Sequence, residues 1–195
     1  MAYDPGLHKR LGENVRFRLW STFAGVEDRR ERWAAVLAEL TGWPRRRVEV
    51  ALDEEDYTEQ DVRHLAEVMD ITEAEMRLED FAAQEDTLVR NTQYLLSSMA
   101  HGAKAGLAEV LKVDPTTLSR WNRGVRPRRA EDLAGIRAYF AIDATVDLEV
   151  DRIYLSFQPV TLTDRRRRLI EMIEHLPHDQ LGPLLPALEK LLRPR

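Results

Sequence analysis

Apolar residues at Leu7, Leu11, Val15 and Leu19 recur every four positions, which predicts that an amphipathic helix opens the chain. The same periodicity predicts helices over residues 32–40, 45–52 and 59–69. Thr72 and Glu75 stand at capping-box spacing and predict a fifth helix from there. A second series follows near 87–99, 104–111, 115–123 and 130–140, with a short helix expected from Asp143. Val146, Leu148 and Val150 then alternate with Asp147, Glu149 and Asp151, and residues 153–157 suit a strand, so helix and strand are balanced over 146–157. In the tail, Asp164 can cap a helix carrying Leu169, Ile170, Met172, Ile173 and Leu176, which Pro177 ends. A last stripe follows at Leu181, Leu184, Leu185, Leu188, Leu191 and Leu192. These two tail helices hold too little sequence to bury their own faces, so they are expected to dock on the body or on another chain.

The two series repeat one pattern. At a shift of 70 residues, Leu37-Ala38-Glu39-Leu40-Thr41-Gly42-Trp43-Pro44 falls without gaps on Leu107-Ala108-Glu109-Val110-Leu111-Lys112-Val113-Asp114. Val48 then falls on Leu118, keeping an inward apolar position. Further on, Leu65-Ala66-Glu67-Val68 matches Leu133-Ala134-Gly135-Ile136.

The second series contains a block of distinct chemistry. A helix rich in small residues ends near Leu111 and turns through Lys112-Val113. Asp114 then caps a further helix with Pro115 at its first position, where a missing N–H costs least. Leu118 and Trp121 are three apart and pack inward, leaving Thr116, Thr117, Ser119, Arg120, Asn122 and Arg123 to face out. Short polar side chains with Arg and Asn are what base-pair edges require of a protein. Between Pro115 and Arg129 there are five Arg and no acidic residue, in a chain whose formal net charge is −5. That local reversal of sign is the main functional clue.

This segment resembles the lambda-repressor-like (Cro or XRE type) helix-turn-helix family, over roughly Thr87 to Asp151. The turn Leu111-Lys112-Val113-Asp114 stands where the family has Leu-Gly-Val-Ser. Leu118-Ser119-Arg120-Trp121-Asn122-Arg123-Gly124 stands where it continues Ile-Ser-Arg-Trp-x-x-Gly. Lys112 replaces the turn Gly, so backbone strain is expected there if the residue is left-handed. Lys104 stands near the place of a frequent Gln. The resemblance implies an all-α fold of two tandem five-helix lambda-repressor-like helix-turn-helix domains plus a C-terminal helical tail, with one short strand near 146–157 as the open alternative. The expected division is 1–85 for a degenerate first copy, 86–160 for the DNA-binding copy and 161–195 for a docking or dimerisation tail. The stretch 24–31 is longer than the family's first turn.

Composition narrows the function classes. A hydrophobic share of 44% excludes wholesale disorder, and no apolar run approaches the 18 residues of a spanning helix. The opening residues, Met1 to Gly6, have no signal-peptide character, and zero Cys removes disulfides and thiol catalysis, which fits a cytoplasmic protein. His175 and His178 flank Pro177 at a helix break, and acid pairs such as Glu54-Glu55 lack a matched His or nucleophile. No catalysis, metal or cofactor is therefore expected.

The expected function is a sequence-specific regulator that binds double-stranded DNA, acting as a repressor. Thr116, Thr117, Ser119, Arg120, Asn122 and Arg123 are the candidates for base edges, and Lys104, Arg126, Arg128 and Arg129 for phosphates. Arg45, Arg46 and Arg47 form a possible second DNA contact. However, residues 53–80 hold twelve acids against two Arg, and a negative wall there would repel DNA. The rival reading is a protein-interaction module, such as an antitoxin or adaptor, that holds a protein partner on the acidic first copy. Arg165–Arg168 suit a solvated tail face better than a DNA contact. The tail's Leu stripes fit either docking within the chain or a homodimer suited to a palindromic site.

Overall fold

A computed structural model describes residues 5–22, 29–53, 56–100, 102–157 and 160–161, together with isolated helical positions at 169, 170, 173, 182, 183 and 186. Part of the long first turn, Glu54, Glu55, the basic run 165–168 and most of both tail stripes lie outside the described residues. Among those described, the fold is all-α, with nine helices and no sheet. No helix among them is long and apolar enough to cross a membrane.

The first five helices are α1 (Pro5–Thr22), α2 (Arg29–Thr41), α3 (Arg45–Asp53), α4 (Glu59–Val68) and α5 (Glu73–Leu78). The four-residue stripe of α1 buries Leu11, Val15 and Leu19 against Trp33, Leu37, Val48, Leu52, Leu65 and Met76. Thr58 caps α4 and Thr72 caps α5, each in a reciprocal capping box with the acid three residues on. The spacing of Thr72 and Glu75 is thus realised as read.

The second half contributes α6 (Thr87–Ser97), α7 (Ala103–Leu111), α8 (Pro115–Asn122) and α9 (Ala130–Tyr139). Leu88, Leu96, Leu107, Leu118, Trp121, Ile136 and Ile153 form its core. Helix α8 packs on α6 and α7, and α7 on α9; in the first half α3 packs on α1 and α2, and α2 on α4.

Local features recur between the halves. Leu37 and Leu107 are both fully buried, as are Val48 and Leu118 to within 2%. Gly42 (φ 68°) and Lys112 (φ 52°), 70 apart, both end their helices left-handed, so Lys112 does adopt the geometry that glycine takes without strain. Asp70 (φ 53°) and Ala141 (φ 48°) repeat the device after α4 and α9 at a spacing of 71. At that spacing Leu65 corresponds to buried Ile136, not to half-buried Leu133 as the matched sequence blocks suggested. The blocks look alike because small and apolar residues recur on any helix; burial decides the register.

A buried asparagine ties each half together. Asn14 donates to the carbonyls of Met76 (3.0 Å) and Glu79 (2.8 Å) and accepts from the Phe81 amide (3.2 Å). Asn91 donates to Leu148 (2.8 Å) and Asp151 (2.7 Å) and accepts from Tyr154 (3.2 Å). Each one satisfies backbone groups that no helix or sheet pairs, where an unmet bond would be costly.

Beyond α9 both open expectations give way. Residues 143–157 form neither the short helix from Asp143 nor a strand; turns carry this stretch, and Ile142 and Thr161 form an isolated bridge. The cause is local. Asp143 accepts from the Thr145 amide (2.9 Å), Asp147 accepts from the Glu149 amide (2.9 Å), and the Asp147 amide donates to Asp151 (2.7 Å). Side-chain acceptors two and four residues away outcompete the extended ladder.

This turn-rich segment also joins the halves. Tyr154 and Leu155 are buried in the first core, and the Trp20 and Trp33 rings meet Tyr154 and Phe157 at 5.5 and 5.4 Å. Burial pushes the Tyr154 phenol up to about 12. Arg152 grips Asp80 through both guanidinium nitrogens (2.7 and 2.8 Å) and reaches Glu13 at 3.0 Å. The cores therefore do not separate cleanly near residue 86.

Candidate nucleic-acid interface

Helix α8 is set by its ends. Asp114 accepts from the Thr116 amide at 2.7 Å, and Pro115 occupies the first position. The Thr116 hydroxyl and amide hold the Asp114 carboxyl below the usual aspartate range. At the other end, the Val125 amide donates to Arg120 and the Gly124 amide to Trp121, both at 3.0 Å. This closure needs a left-handed residue, which Gly124 supplies at φ 98°. The chain then turns back, and residues 125–129 run to the start of α9.

Leu118 and Trp121 are buried as expected, which aims the rest of α8 outward. Thr116, Ser119, Arg120 and Arg123 are exposed, and Thr117 and Asn122 are half-buried. Two of these are engaged locally: the Ser119 hydroxyl donates to the Pro115 carbonyl, and Arg123 Nε to the Ser119 carbonyl, each at 3.2 Å. Arg120 has no ion-pair partner among the described residues.

The four phosphate candidates divide. Arg128 is exposed and Lys104 half-buried on the first turn of α7, neither with an ion-pair partner among the described residues. Arg126 instead bridges Asp86 and Glu149, both at 2.5 Å. Asp86, which also caps α6, raises the Arg126 pKa; burial pushes the Asp86 carboxyl up, but Arg126 and the cap amides bring it net below its usual range. Arg129 holds the buried carboxylate of Asp132 with two bonds, at 2.5 and 3.0 Å. Arg126 and Arg129 are thus structural ties. Their partners lie outside the acid-free run 115–129, so that run looked uniformly free in the sequence.

A cleft of about 520 Å³ lies beside α8. Its lining includes Lys112, Asp114, Arg120 and Arg128, the hydroxyl of Thr117, and the apolar Val113, Trp121 and Val125. Lys112 was not among the sequence candidates. Its only signal was that a lysine stands at the turn where the resembled family has glycine.

In the first half the corresponding arginines are largely spent. Arg45 pairs with Glu49 at 2.8 Å on its own helix. Arg47 reaches Asp61 and the Asp56 carbonyl, and lies over the Trp43 ring at 5.2 Å. Burial pushes Asp61 up, but Arg47 and Thr58 more than offset it and hold the carboxyl below its usual range. Arg46 is exposed with no ion-pair partner among the described residues. No group of three or more metal-ligating side chains occurs among the described residues.

No family model matches this chain, and neither does any curated protein or solved structure.

Proposed function

We propose that the chain is a sequence-specific double-stranded-DNA-binding regulator, acting as a repressor by occupying its site. In this reading the chain holds two tandem helix-turn-helix units. The first has five helices; the second has four and a turn-rich segment in place of the fifth. The carrying observation is α8: a capped helix that buries Leu118 and Trp121 and turns Thr116, Arg120 and Arg123 outward, with no acid from 115 to 129. Such a helix would enter the major groove, with Arg128 and Lys104 on flanking phosphates. A homodimer through residues 161–195 would place two such helices on a palindromic site. With Arg45 and Arg47 already paired, the first unit favours contact with protein over contact with DNA.

Selection of bound fragments from a random duplex library tests this reading. The expected result is an enriched motif whose binding weakens steeply as salt rises. Arg120→Ala and Arg123→Ala should each erode discrimination on that motif by roughly 1–3 kcal/mol if they make good base contacts. Absence of any retained duplex at low salt would sink the proposal and favour the protein-interaction module.

A further inference from the structure

The two halves fill one place on their shared plan differently. In the first, the Arg47 side chain crosses from α3 to α4, stacks over Trp43 and ends on Asp61. Seventy residues on, Arg47 becomes Thr117 and Trp43 becomes Val113, while the acid is kept 71 residues on as Asp132. Two long side chains are replaced by short ones, and the 520 Å³ cleft opens where they would lie. Asp132 does not face that space uncompensated, because Arg129 on the adjoining turn holds both of its oxygens. The rest of the lining is cationic in balance: Lys112, Arg120 and Arg128 have no ion-pair partner among the described residues, against one further acid, Asp114, whose carboxylate accepts the Thr116 amide. Thr117 adds a hydroxyl to the lining, and Val113, Trp121 and Val125 add apolar surface.

An anion with an apolar body matches that lining. The Arg128 guanidinium and the Lys112 ammonium can take phosphate oxygens, the Thr117 hydroxyl adds a donor, and the sugar lies on apolar surface, while Arg120 is left for a base edge. We propose that the cleft receives one backbone sugar-phosphate of the duplex read by α8, and that Arg47 is a built-in plug closing the same place in the first unit. This rests on the DNA-binding reading above, and it assigns one phosphate-seating cleft to each chain.

The test rebuilds the plug. Thr117→Arg adds a positive charge to the DNA face, so charge alone would tighten binding, whereas a filled cleft weakens it. The expected result is binding of the selected duplex about tenfold weaker, with the salt slope flattened by about one unit for the lost phosphate contact. Val113→Trp, filling the cleft from the turn, should act in the same direction, and it keeps the test open if Thr117→Arg fails to fold by circular dichroism. Folded variants that bind as tightly as the parent, or tighter, would overturn the plug and leave the DNA-binding reading standing. If the parent binds no duplex at all, both fall. Displacement of the duplex by micromolar inorganic phosphate at constant ionic strength would give the cleft to a free anion and overturn the duplex assignment.

Discussion

Helices α3 and α8 each begin three residues after a left-handed turn, at Gly42 and Lys112, and each buries an apolar residue at its fourth position, Val48 or Leu118. Their arginines are used in opposite ways. On α3, Glu49 of the same helix answers Arg45 and Asp61 of α4 answers Arg47, which leaves Arg46 alone of the three without an ion-pair partner among the described residues. On α8 there is no acid to answer Arg120, and the side chain is left to solvent. The backbone plan sets where a helix stands. Whether it can meet an anionic partner depends on what its own fold has already given its cations.

The largest expected effect tests how far the halves are separate bodies. Leu118→Ala empties the centre of the second core and should cost about 2–5 kcal/mol. Val48→Ala, which removes one carbon fewer, should cost less. Because Tyr154 and Leu155 sit in the first core while Leu148 and Ile153 sit in the second, either change should lower one shared calorimetric transition. Two resolved transitions, with only one of them moved by Leu118→Ala, would break the picture of coupled halves.

A smaller effect sharpens the likeness. Asn14→Ala and Asn91→Ala each leave buried carbonyl and amide groups without their side-chain partner, and each should cost about 1–3 kcal/mol in urea unfolding. Similar losses would support one device used twice. A loss at Asn14 alone would mean that the turn-rich segment after α9 is held by its aspartate turns and not by Asn91.

What could be read ahead followed from local physics. Caps at Thr72 and Asp114, and the inward faces of α1 at Leu11, Val15 and Leu19 and of α8 at Leu118 and Trp121, depend on residues within a turn or two of each other, and all of these appear. The asparagine ties span 57 to 67 residues in sequence and have no local signature. The stretch 143–157 misled for a different reason: its alternating apolar residues are real, but the acids between them bond their own backbone. The candidate site was legible as a face and not as a set of free charges. Asp86 lies 40 residues before Arg126, so nothing in the basic run itself betrays the pairing.

The smallest expected effect separates cations that look equivalent in the sequence. Arg126 is half in solvent and paired at two acids, and exposed pairs contribute roughly 0.2–1 kcal/mol each. Arg126→Ala should therefore destabilise slightly, while Arg128→Ala should leave unfolding unchanged. Acid sharpens the contrast. With the Asp86 carboxyl held net below its usual range, its share of the pairing is present above about pH 4 and is lost as pH falls through the lowered folded value. The stability gap between Arg126→Ala and the parent should shrink over that interval. On DNA the order reverses. Arg128→Ala should flatten the salt slope by about one unit, because a free guanidinium on a phosphate releases a counterion. Arg126→Ala should change the slope little, since its charge is already answered within the fold. A flattened slope from Arg126→Ala, with none from Arg128→Ala, would show that the Asp86 and Glu149 pairings yield to phosphate, and the division between tied and free arginines on the second unit would have to be redrawn.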